Sequence, residues 1–319
     1  MILWETIDGF RYPKGSIFDA MNAKGVTWRL YHDTSGPIEG SISQVSSIHN
    51  IELWDVHELS TFESDVQSSL YPYQYTFIEP NYGDIVNASY EGGSSQHPMD
   101  GVTNGEALIA QVYESIRNSP LWMSSVLIVT YDEHGGFYDH FAPMAAQPPN
   151  DGGESSSYNQ SGFTFAQYGV RVPAVIVSPL LAQGVDHTIY DHSSVLATLE
   201  GLFGLPNLTA RDGKANTIQG IVAGVAPRTD CPTTLGPPAP QPPKPAVADA
   251  ALAARELEPV PDGSSLVGFL GVLLKADSKL SGHVSATTRY QSVRIRHDAR
   301  AYIREVMAKV QAEKTRRGV

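Results

Sequence analysis

The run Thr130 to His140, TYDEHGGFYDH, puts two adjacent carboxylates, Asp132 and Glu133, beside His134, a Gly135-Gly136 pair and Asp139-His140. Neighbouring carboxylates with imidazoles close by suit a hard divalent cation, and the glycines let the backbone turn sharply. On spacing alone, a solvated acidic loop accounts for the same residues. His97, in Ser95-Gln96-His97-Pro98, lies in a Gly/Ser-rich loop. From there an imidazole can donate to a phosphoryl oxygen or act as a general acid; the plainer alternative is a surface histidine. A third cluster, Tyr190-Asp191-His192-Ser193, opens a helix. Asp191 or Ser193 reads most simply as its N-cap, with His192 orienting the turn. The segment Phe77 to Tyr82 (FIEPNY) adds one more carboxylate, Glu79, at a strand end.

Positioning these residues needs a scaffold, and the pattern predicts one. Ser16 to Lys24 reads as a short helix, capped by Ser16 with Asp19 three residues on and stopped at Gly25. Val26 to Tyr31 and Tyr75 to Ile78 read as strands. A helix follows Thr103, where Thr103 and Glu106 form a capping-box pair and Leu108, Val112 and Ile116 recur at helical spacing. Val126 to Tyr131 (VLIVTY) and Ala174 to Ser178 (AVIVS) are β-branched and apolar, the pattern of strands buried on both faces of one parallel sheet. Val195, Leu196, Leu199 and Leu202 mark a further helix. Helices alternating with buried strands imply an α/β domain with a mostly parallel sheet, and ligands of such sheets bind beyond the carboxyl ends of the strands. Asp132, directly after its strand, is in that position.

The remaining sequence divides differently. Residues 237–245 hold six prolines in nine, which predicts an extended linker. Beyond it, Ala250 to Leu257 and Asp298 to Lys314 read as helices, the second basic and expected to pack loosely on the body through screened charges. The boundaries are therefore 1–208 for the α/β core, 209–262 for loop and linker, and 263–319 for a helical extension. Net charge is −12, yet residues 291–319 carry eight Lys/Arg against three Asp/Glu. An acidic body excludes the basic stripe of a nucleic-acid binder and suits a cation-binding protein. One cysteine, Cys231, excludes an intrachain disulfide framework. The longest apolar run, Leu266 to Leu274, is too short for a transmembrane helix. The first residues lack the basic and apolar regions of a signal peptide.

TYDEHGGFYDH resembles the signature of the phosphoesterase family that includes bacterial, fungal and plant phospholipases C and certain acid phosphatases. Other segments agree in order: Gly25 to Tyr31, FIEPNYG (Phe77 to Gly83), His97-Pro98 before Gly105-Glu106, Ser119 to Trp122, Arg171-Val172-Pro173 and YDHSSV (Tyr190 to Val195). The likeness covers roughly residues 10 to 208. It implies an alkaline-phosphatase-like α/β fold and metal-dependent hydrolysis of a phosphoester, with a phospholipid or a phosphomonoester as substrate. It implies Asp132 and Glu133 as metal ligands, His97 at the phosphate, and His192 as a second catalytic histidine. His134 and His140 would fix the loop. Oxygen ligands favour Ca²⁺, Mg²⁺ or Mn²⁺, and added histidine would admit Zn²⁺.

Family members are often secreted or periplasmic. They carry a Glu-Asn-x-Ser-Phe-Asp segment with two more metal ligands, then a Ser or Thr nucleophile, both before the region matched here. Neither segment is present in this chain, so by family order it corresponds to the C-terminal part of such an enzyme, with the fold incomplete at its N-terminus. A serine of the Ser94-Ser95 pair is a conceivable substitute nucleophile. The alternative expectation is a catalytically impaired fragment with a partial metal site.

Overall fold

In the computed structural model, residues 7–155, 159, 161–222, 226–241 and 249–319 are described. The elements are α1 (Ile17–Lys24), β1 (Trp28–His32), β2 (Val56–Glu58), α2 (Phe62–Val66), β3 (Tyr75–Glu79), α3 (Thr103–Arg117), β4 (Leu127–Thr130) and β5 (Ala174–Val177). They continue with α4 (Ser193–Phe203), α5 (Gln219–Val222), α6 (Asp249–Glu256), α7 (Ser265–Ser281), α8 (His283–Ser292) and α9 (Arg296–Arg317). The architecture is mixed α/β, with a parallel sheet flanked by helices and a set of C-terminal helices.

Helix α1 forms where local chemistry dictates. The Ser16 hydroxyl accepts from Asp19 N–H, the Asp19 carboxylate accepts from Ser16 N–H, and Gly25 ends the helix at φ 75°. Helix α3 departs from expectation. It begins at Thr103, but Val102 occupies the cap position without a side-chain bond, and the Thr103 hydroxyl donates to Ala239 O at 3.4 Å. A tertiary acceptor has displaced the expected capping box.

The parallel sheet has the order β2-β1-β3, with Leu30 opposite both Val56 and Phe77. Alternation along β1 assigns its two faces. Leu30 packs with Ile17, Phe18 and Met21 of α1 and Leu199 of α4, whereas Tyr31 packs with Phe62 and Val66 of α2 and Val112 of α3. Helices thus cover both faces.

The expectation for β4 and β5 is corrected in pairing and in burial. They share one sheet, but it is a separate two-stranded one and it is antiparallel, with Leu127 opposite Val177 and Thr130 opposite Ala174. Parallel neighbours need a crossover, usually a helix. Between Tyr131 and Pro173 the described residues hold no helix but the 3₁₀ turn Gly153–Ser155, with one isolated antiparallel bridge from Ala145 to Gln167, so the chain returns alongside itself. The strands are also not doubly buried, and Val175 is 55% exposed. An unbroken apolar run overstates burial when no further strand flanks the pair among the described residues.

The loose C-terminal extension is corrected too. Helices α7 and α9 build a core with Ile42, Leu53, Trp54, Ile85 and Val86, in which Leu273, Ile303 and Val306 are fully buried. Apolar area, not screened charge, joins the two parts. Arg300 of α9 adds ion pairs to Glu39, Asp84 and Glu256. Of the proline run, residues 237–241 are described and exposed except for the half-buried Pro238, and 242–245 lie outside the described residues. Just upstream, the chain is pinned along α3, whose Arg117 donates to Cys231 O and Asn118 to Thr233 O. Among the described residues no helix is long and apolar enough to cross a membrane.

Candidate functional site

The loop Ser94 to Pro98 links the two sheets. At one end the Ser94 hydroxyl donates to Asp33, which follows β1, and accepts from Asn81 N–H, just beyond β3. Asn81, Asp33 and Ser94 are all buried. At the other end the Tyr131 hydroxyl donates to Gln96 Oε1, and Tyr131 is the residue after β4. Ser94 is therefore buried and bonded at both ends of its hydroxyl, which holds the loop. Helix α3 meets this loop at Gly105, where a Cβ would lie 2.7 Å from Ser94 O.

This bridge brings His97 to the carboxyl end of β4, where Asp132, Glu133 and His192 also lie. Asp132 and Glu133 are exposed there. Asp132 Oδ1 accepts from Glu133 N–H at 3.0 Å, and Glu133 Oε2 accepts from Gly135 N–H at 2.8 Å. Each carboxylate keeps its other oxygen without a protein donor among the described residues. His97 is close enough to feel both: burial lowers its pKa, while Glu133 and Asp132 act in the opposite direction. Pro98 touches the same turn, since a Cβ on Gly135 would stand 2.6 Å from its ring. His192, at the cap of α4, places Nε2 2.8 Å from Tyr131 O and so braces the turn that presents Asp132.

The rest of the motif shapes the loop. His134 Nδ1 bonds Phe137 O at 3.0 Å. Asp139 accepts two bonds from Arg171 at 2.6 and 2.8 Å, which hold its carboxyl well below the usual range. The Arg171 guanidinium lies over the Phe141 ring at 4.8 Å. This ties the Arg171-Val172-Pro173 segment to the loop. Among the described residues, no group of three or more His, Cys, Asp or Glu side chains converges to hold a metal ion.

Sequence reasoning missed Tyr90. Its ring stacks on the His97 imidazole, with centroids 3.4 Å apart and planes at 11°. Tyr90 adopts φ 55°, a left-handed conformation that costs a bulky residue of order 1–3 kcal/mol. The only signal in the sequence is a lone aromatic in a run of small residues. Gly83 makes the turn possible: it sits at φ 70°, and a Cβ there would lie 2.0 Å from Tyr90 O. Gly83→Ala is expected to cost more than about 1 kcal/mol, because both φ and the contact are violated. Urea denaturation checks the stability, and a chemical-shift change at His97 would show that the Tyr90 turn has moved.

A strand-end carboxylate pair with a histidine brought across from a neighbouring loop defines a class of chain. A family model described as the phosphoesterase family matches residues 9–206, and the chain belongs to that family. It is 34% identical over 238 residues to non-specific phospholipase C6 of Arabidopsis thaliana, covering 70% of this chain and 44% of that protein. Identity to non-specific phospholipase C3 of the same plant is 34% over 236 residues, covering 70% and 43%. The hemolytic phospholipase C of Pseudomonas aeruginosa is 36% identical over 118 residues, covering 34% and 16%. The chain thus spans less than half the length of these relatives.

Proposed function

We propose that the carboxyl end of β4 is part of a metal-assisted site for phosphoester hydrolysis, acting on a phospholipid headgroup or on a phosphomonoester as acid phosphatases do. The observation that supports this reading most is that Asp132 and Glu133 follow β4 with the loop residue His97 near enough to interact with both, in a phosphoesterase-family chain. In donor type the residues fit a divalent cation: two carboxylates each leave one oxygen free, and oxygen donors suit Ca²⁺, Mg²⁺ or Mn²⁺. Asp132 and Glu133 would hold the ion, which supplies charge stabilisation at the phosphoryl oxygens. His97 presents Nε2 to a phosphoryl or leaving-group oxygen. His192 acts through Tyr131, keeping the Asp132 turn in place.

One observation favours a second reading, a site that binds a cation weakly without turnover. Two carboxylates from one turn make a small ligand set, and affinity follows ligand number and rigidity. The purified chain and Asp132→Ala are compared for Mn²⁺ and Ca²⁺ binding by calorimetry, and for hydrolysis of a nitrophenyl phosphodiester and phosphomonoester. Slow cation-dependent turnover that disappears in Asp132→Ala supports hydrolysis. Cation binding lost in the variant, with no turnover in either protein, supports the second reading. A cation response identical in both proteins removes Asp132 from the site.

A further inference from the structure

His97 is held by two contacts that do not involve the carboxylates. The Met99 N–H donates to Nδ1 at 3.2 Å. The ring of Tyr90 covers one imidazole face, nearly parallel and 3.4 Å away. Neutral imidazole has one donor and one acceptor nitrogen. Acceptance at Nδ1 therefore leaves the proton on Nε2, the nitrogen free to face a ligand.

Tyr90 is itself fixed from behind. It packs against the core that residues 42–86 share with α7 and α9, and its main chain is locked at positive φ by bonds from Tyr90 N to Asp84 O and from Gly93 N to Tyr90 O. Strained backbone persists where the surroundings over-determine it, and such positions concentrate at functional sites. The α7 and α9 helices, which contribute to that core together with Ile42, Ile85 and Val86, lie outside residues 9–206. No partner for the Tyr90 hydroxyl is found among the described residues, so the ring face is what acts.

We propose that Tyr90 is a positioning residue for His97, holding the imidazole in the plane where Met99 N–H meets Nδ1 and Nε2 carries the proton. The proposal deepens the reading of His97 as a donor in phosphoester hydrolysis and rests on that reading for its chemistry. Its test needs neither cation nor turnover, so the two fail separately.

The full chain is labelled with ¹⁵N/¹³C-histidine, and the His97 signals are assigned by their loss in His97→Gln. Stacking displaces the His97 ring protons upfield, and at alkaline pH the ¹⁵N pattern reports a single Nε2–H tautomer. Tyr90→Phe is expected to keep both signatures. Tyr90→Leu, which retains an apolar side chain against the core, is expected to lose the upfield displacement and to show mixed tautomers. Because removing the ring abolishes its ring current in any case, the tautomer decides: a single Nε2–H tautomer retained in Tyr90→Leu overturns the proposal. If Tyr90→Leu does not fold, the native protein decides: His97 ring protons without upfield displacement, or a mixed tautomer, overturn it equally.

Discussion

Lys275→Met is expected to destabilise the fold by about 3–5 kcal/mol, the cost of breaking a buried charge site from one side. Lys275 is 1% exposed in the middle of α7. Its ammonium donates to Ser46 O, Ile48 O and Ile51 O at 2.9, 2.8 and 2.6 Å, and lies 3.5 Å from Glu52. Methionine fills similar volume but leaves the buried Ser46 and Ile51 carbonyls without this donor and takes from Glu52 one of its two ammonium partners, the other being Lys279, and each unsatisfied group costs about 1–3 kcal/mol. Urea denaturation measures the loss, and a change under about 1 kcal/mol would show that water replaces the ammonium. The pH dependence has a definite sign. Burial lowers the Lys275 pKa from 10.5 to about 8. Between these values the unfolded chain binds the extra proton, so the contribution of this group to stability rises as pH climbs through that window. Lys275→Met should lose this slope.

Asp277→Ala should cost about 3 kcal/mol, at the lower edge of the range for a broken buried pair because its partners are partly wetted. Asp277 is 0% exposed and accepts from Arg289 of α8, Lys309 of α9 and the Ser281 hydroxyl. Arg289 and Lys309 are 26% and 28% exposed, so water can recover part of their solvation. Burial alone would raise the Asp277 pKa, but the bonds from Arg289, Lys309 and Ser281 outweigh it and hold the pKa below 3.8. A depressed carboxyl contributes stability that is present above its unfolded pKa and lost as pH falls through the folded one. Acid titration of the variant should therefore be flatter than that of the native chain below about pH 4. Equal slopes would show that these helices are joined by apolar packing alone.

What could be read in advance follows the range of the interactions. Helix α1 was legible because Ser16, Asp19 and Gly25 settle it within ten residues. The start of α3 was legible, but its cap was not, since the Thr103 hydroxyl is taken by an acceptor 136 positions away. The strands of VLIVTY and AVIVS were recognisable by composition. Their antiparallel pairing was not, because side-chain pattern carries no record of what the connection between them does. At the site, the motif named Asp132 and Glu133 but not Tyr90, whose role exists only because Gly83 lets the chain fold it onto His97. Lys275 was invisible for the same reason. Its acceptors lie 224 to 229 residues earlier.

The core shared by residues 42–86 and 266–310 also sets an order of events during synthesis. Ile42, Leu53, Trp54, Ile85 and Val86 leave the ribosome roughly two hundred residues before the helices that cover them. They remain apolar and uncovered while the middle of the chain is made, and contacts of such separation close slowly. This core therefore closes only once α7 and α9 have been made, and until then its earlier half presents an apolar surface open to association.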